Sequence, residues 1–193
     1  MKKKMNVRKY VLIGMMSSLA YVLMMLKFPI PPFPSYLKVD FSDIPALVAA
    51  LILGPAAGIL VELIKNILDY LITGSDTGVP VGHFANFIAG ISFILPTYFI
   101  YNKIKSKKGM VIGLGLSVLI MTALLSLFNY FIMLPFYNAL MNIPTDTTIL
   151  KKTILSAIIP FNLLKGIIIS LIFALVFSKM GVWINKQIPS RNV

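Results

Sequence analysis

Apolar runs of roughly 17–30 residues, each closed by a short polar or proline–glycine break, recur along this chain. Read as helices, they predict span 1 over about Tyr10–Lys27, span 2 over Asp43–Leu53 and span 3 over Ala56–Ile72. Span 4 follows over His83–Tyr101, span 5 over Met110–Tyr137 and span 6 over Lys151–Ile184. Thr73–Gly82, Asn102–Gly109 and Asn138–Thr148 read as connecting loops. The first break is of another kind. It holds Pro29, Pro31, Pro32 and Pro34, interleaved with Phe33, Tyr36 and Phe41. Prolines fix φ and remove backbone donors, so this segment is no helix. It is also too apolar for an ordinary solvated loop. A stiff aromatic loop beside a membrane span suits the wall or lid of a site for a flat, hydrophobic ligand.

Gly54-Pro55 could kink one helix or join two, and charge decides between them. With the basic N-terminus (Lys2, Lys3, Lys4, Arg8, Lys9) in the cytoplasm, a turn there places the loop of Lys103, Lys105, Lys107 and Lys108 inside as well. The tail with Lys179, Lys186 and Arg191 then also lies inside, and the Asp76 loop, which has no basic residue, lies outside. A single kinked span would put the lysine loop outside, against the positive-inside rule. The expected fold is therefore an all-α membrane protein of six transmembrane helices with both termini cytoplasmic. Residues 1–193 form one integral membrane domain, with 1–9 a basic cytoplasmic N-terminus and 185–193 a cytoplasmic tail. From Asp43 to Leu53 span 2 covers only about 16 Å. The proline-rich loop must then dip into the outer half of the bundle beside it, which is acceptable where the backbone is buried in protein or lines a cavity.

Composition agrees and narrows the classes. The chain is 58% hydrophobic and 12% charged, with a mean hydropathy of +0.89, far from the usual balance of a soluble domain. The net charge of +12 comes from lysines between or outside the apolar runs, so it signals topology and contact with anionic lipid rather than nucleic acid. The absence of cysteine excludes disulfides, thiolate metal sites and a cysteine nucleophile. There is no Walker A sequence, zinc-protease histidine pair or nucleophile elbow, so the chain is not its own ATPase and not an enzyme of those classes.

Charges inside the spans are expensive and so informative. Glu62, Lys65, Asn66 and Asp69 share one face of span 3. Glu62 is expected to pair with Lys65, and Lys65 with Asp69. The stripe is either an internal network locking span 3 to its neighbours, or a cavity wall or proton path. Span 6 carries Asn162 and Lys165 one turn apart, after Pro160, which frees the carbonyl of Ser156. Span 5 carries Asn129 between Phe128 and Tyr130. Lys165 has no acid one turn away on its own helix, and an unpaired intramembrane lysine is a functional-site hypothesis. Two amides and an ammonium suit a ligand bearing hydroxyls or carbonyls; the plainer reading is polar glue between helices. In span 1, Gly14, Ser17 and Ser18 make a smooth patch with Gly14 and Ser18 four apart, fit for close helix approach.

The run from Phe28 through Pro29-Ile30-Pro31-Pro32-Phe33-Pro34 to Asp43-Ile44-Pro45 resembles the first loop of the riboflavin-specific S components of energy-coupling factor (ECF) transporters. Gly54-Pro55-Ala56-Ala57-Gly58, the run Val61–Tyr70 and the run Thr77–Gly90 are similar to that family too. The resemblance implies a six-helix membrane subunit in the cell membrane that captures riboflavin from outside. It would have no cofactor of its own and would work with a membrane coupling subunit and two ATP-binding-cassette ATPases. Carried over, it points to Leu37, Val39, Asp40 and Phe41 for the flavin ring, and to Asn129, Asn162 and Lys165 for polar contacts. The span 1 patch, often alanines four apart in the family, would meet the coupling subunit; here it reads Gly14 and Ser18. The competing classes are a proton-coupled secondary transporter of a flat aromatic molecule using Glu62 and Asp69, and a membrane scaffold.

Overall fold

The computed structural model describes residues 7–75, 78–142, 144 and 146–187. Lys2, Lys3, Lys4, Asp76 and Arg191, with the rest of 1–6 and of 188–193, lie outside the described residues, as does the side chain of Lys186.

Among the described residues, six helices carry the fold. They are α1 (Val7–Met25), α2 (Asp43–Leu53), α3 (Pro55–Thr73), α4 (Val81–Ile104), α5 (Lys107–Leu140) and α6, continuous over Thr147–Ile184. Of these, α1, α4, α5 and α6 are long and apolar enough to cross a membrane. The α3 helix is as long as α1 but carries Glu62, Lys65 and Asp69. The α2 helix is short but hydrophobic all round and buried on nearly every side, from Pro45 to Ile52, as a central helix must be. It packs on α1, α3, α4 and α6, and α5 packs on both α4 and α6. The first loop is more regular than expected. It folds as a small antiparallel hairpin, β1 (Phe28–Pro29) on β2 (Lys38–Val39), with Phe28 opposite Val39.

Gly54-Pro55 is a turn between two helices. Gly54 adopts φ +98°, a conformation L side chains avoid, and its N–H closes α2 onto the Ala50 carbonyl. Pro55 then opens α3 at a position where its missing N–H costs nothing.

Both long helices contain one wide π turn, Asn129–Met133 in α5 and Ile154–Ile158 in α6. Each ends two residues before a proline, Pro135 or Pro160. A proline in a helix lacks its N–H and its ring crowds the carbonyl four residues back. The wider turn absorbs this: Leu134 N–H reaches the Asn129 carbonyl and Ile159 N–H reaches that of Ile154. The two π turns pack against each other.

Candidate functional site

The hairpin brings the first loop into the bundle. Val39, Asp40 and Ser42 are buried, and Leu37 and Phe41 are half-buried. One aromatic contact closes the loop on itself and two fasten it to the helices. Phe28 meets Phe41 at 6.3 Å, Phe33 meets Phe161 of α6 edge-on at 5.5 Å, and Tyr36 meets Tyr137 of α5 at 6.3 Å. The loop therefore meets α6 at Phe161, the neighbour of Asn162, and α5 at Tyr137, about two turns beyond Asn129.

Beneath it lies a buried charge network. Lys65 Nζ sits 2.6 Å from Asp43 Oδ1, 2.9 Å from Glu62 Oε2 and 2.6 Å from Ser42 Oγ, to which it donates. Asp43 stands in the first turn of α2, where a negative charge is favoured. Ser42 Oγ donates to Asp40 Oδ1, and Ser42 N–H donates to the same oxygen at 2.9 Å. Asp40 Oδ2 accepts from Asn86 Nδ2 at 3.3 Å and from Lys165 Nζ at 3.5 Å. Burial pushes the Asp40 carboxyl up, but the ammoniums of Lys165 and Lys65 and the Ser42 hydrogen bonds outweigh it and hold it below the usual carboxylate range. Gly90 of α4 makes room for Glu62: a Cβ there would lie 2.2 Å from Glu62 Oε2.

Four expectations change. Lys165 is not unpaired; its partner is Asp40, 125 residues away in sequence and therefore invisible to helical spacing. Lys65 does not pair with Asp69. Asp69 engages Lys27 Nζ at 2.5 Å, His83 Nε2 at 2.9 Å and Thr73 Oγ1 at 3.0 Å instead, because the ends of α1 and α4 reach it. The α3 stripe is thus two clusters, and among the described residues Glu62 and Asp69 share no partner. Asn66 joins neither cluster; its amide donates back to the Glu62 carbonyl at 2.8 Å. Ser17 turns into the bundle, buried and bonded to the Ile13 carbonyl at 2.8 Å, so the outward strip on α1 is Gly14 and Ser18 alone. Asn129 and Asn162 donate to the carbonyls of Leu125 and Ile158, four residues back, at 2.8 and 2.9 Å. Each lies at or just after a π turn, an arrangement frequent at functional sites.

Sequence reasoning did not place Asp43, Ser42, Asn86 or Lys27 in these networks. One signal was present. The chain has only 6 acidic residues, and a buried lysine without an acid on its own helix must find one elsewhere.

Comparison with known proteins fits this geometry. The profile of the family described as "ECF transporter, substrate-specific component" matches residues 8–177. The chain belongs to that family and is a membrane transport protein. It is 50% identical over 184 residues to the riboflavin transporter FmnP of Bacillus subtilis (strain 168), covering 95% of this chain and 97% of that one. It is 44% identical over 188 residues to the riboflavin transporter RibU of Staphylococcus aureus (strain TCH60), covering 96% and 98%. A solved structure of the S component of a bacterial ECF transporter superposes with a TM-score of 0.79 at 44% identity, covering 92% of this chain and 98% of that one.

Proposed function

We propose that this chain captures riboflavin at the outer face of the cell membrane, as the substrate-binding subunit of an ATP-driven ECF transporter. The observation that carries the reading is the buried ammonium of Lys165, held under an aromatic first loop by Asp40. It stands in a chain half identical to a named riboflavin transporter. Riboflavin has a flat ring with edge donors and acceptors and a chain of hydroxyls. Leu37, Val39 and Phe41 suit the faces of the ring; Asp40, Asn129, Asn162 and Lys165 suit its polar edge and the hydroxyls.

The chain works as a six-span, multi-pass subunit with the hairpin outside and both termini in the cytoplasm. It hydrolyses no ATP; two ATP-binding-cassette ATPases do so through a membrane coupling subunit. That subunit docks on the outward strip of Gly14 and Ser18, where a Cβ on Gly14 would meet nothing within 4 Å. The division of the α3 stripe weighs against the proton-driven alternative, since Glu62 and Asp69 belong to separate, internally partnered clusters. The test is riboflavin uptake into vesicles holding this chain with and without the coupling subunit and ATPases. Uptake that needs ATP and the partners is expected. Uptake that persists without them and follows an imposed proton gradient overturns the proposal.

A further inference from the structure

We propose that the hydroxyl of Ser42 is a positioning group for ligand recognition: it fixes the Asp40 carboxylate so that its free edge aims the ammonium of Lys165. The inference rests on the riboflavin reading and deepens it.

Ser42 occupies the N-cap position of α2, where a serine side chain ordinarily accepts a bond from the helix's own first N–H groups. Here it does not. Its backbone is helical, at φ −67° and ψ −20°, and its side chain makes no cap bond. The hydroxyl is instead fully buried between two charged groups, accepting from Lys65 Nζ at 2.6 Å and donating to Asp40 Oδ1. The backbone N–H of Ser42 grips the same oxygen at 2.9 Å. With Oδ1 held twice, the carboxylate cannot rotate, and Oδ2 is left to face Asn86 and Lys165.

Lys165 needs such a guide. It carries a flexible four-carbon stem with about 2 kcal/mol of rotamer entropy, and Asp40 is its only hydrogen-bond or ion-pair partner among the described residues, at 3.5 Å. That contact is long enough for the ammonium to be shared with a ligand acceptor without moving far. Lys65 in turn is fixed by Asp43 and Glu62. The order therefore runs from the rigid α2–α3 pair, through Ser42, to the loop carboxylate and then to α6. Ser42→Ala breaks this chain while leaving every charge with a partner.

The experiment is a double-mutant cycle read by riboflavin fluorescence titration on purified full-length protein in detergent, using Ser42→Ala, Lys165→Met and the pair. Ser42→Ala should weaken binding about 3- to 10-fold, toward the low end of coupling within one hydrogen-bond network because Ser42 acts on the ligand only through Asp40 and Lys165. In the Lys165→Met background the same change should shift affinity by less than about twofold, because the group it positions is gone. A structural role would lower the ligand-free melting temperature and weaken binding equally in both backgrounds. Equal factors in the two backgrounds, or Ser42→Ala titrating like wild type, overturn the inference. Should Ser42→Ala fail to fold, Ser42→Thr and Ser42→Val differ only in the hydroxyl, and their ratio must show the same dependence on Lys165. Wild-type protein that binds no riboflavin overturns the ligand reading and this inference with it; a binding wild type with additive variants overturns this inference alone.

Discussion

Replacing Lys165 with methionine keeps most of the side-chain bulk and removes one charged donor. The structure separates its two consequences. For stability, Asp40 loses its longest contact, 3.5 Å, and keeps Ser42 N–H at 2.9 Å, the Ser42 hydroxyl and Asn86 at 3.3 Å. The loss should then fall well below the roughly 3–5 kcal/mol of breaking a fully committed buried ion pair, and the protein should still purify as a folded bundle. For binding, a hydrogen bond from a charged group is worth about 1.5–3 kcal/mol. At about 1.4 kcal/mol per decade, that is roughly a 10- to 150-fold loss of riboflavin affinity. Asn129→Ala and Asn162→Ala should weaken binding by smaller factors, since each removes a neutral group. Calorimetric titration reads the affinity, and a thermal melt without riboflavin reads the fold. If all three variants melt and titrate like wild type, the ligand does not sit between the first loop and α6.

Two further outcomes follow from close helix contacts. Gly90→Ala sets a Cβ 2.2 Å from Glu62 Oε2 and should destabilise the bundle by about 1–3 kcal/mol; in a Glu62→Ala background the same change should cost much less in a detergent melt, and a single variant that melts like wild type would falsify the placement of Glu62 against α4. Gly14→Leu fills a position with open space around it, so riboflavin binding should be unchanged while co-purification with the coupling subunit and uptake in cells fall; lost binding would mean that Gly14 packs inside the bundle.

What the sequence could reveal follows the range of the interactions. Apolar runs and punctuation are local, so α1, α3 and α4 fall close to their expected spans, and Gly54-Pro55 reads correctly as a turn. The burial of the first loop was legible as well, because α2 is too short to fill the bilayer alone. Spacing on one helix shows only which contacts are allowed. Glu62 and Lys65 do meet, while Lys65 and Asp69, equally allowed, are drawn apart by Asp43 on one side and by Lys27 and His83 on the other. Pro160 signalled a broken hydrogen bond, but not that a π turn would repair it. The link from Lys165 to Asp40 joins the last helix to the first loop and depends on how six helices assemble, which no local pattern encodes.

The central claim is that this chain by itself binds riboflavin beneath its first loop. A fluorescence titration of the purified protein in detergent, without coupling subunit or ATPases, tests it most directly. The account predicts saturable quenching of riboflavin fluorescence as the ring enters a site walled by aromatic and apolar side chains. Protein that is folded by its thermal melt, carries no co-purified flavin and leaves riboflavin fluorescence unchanged across the titration would contradict it.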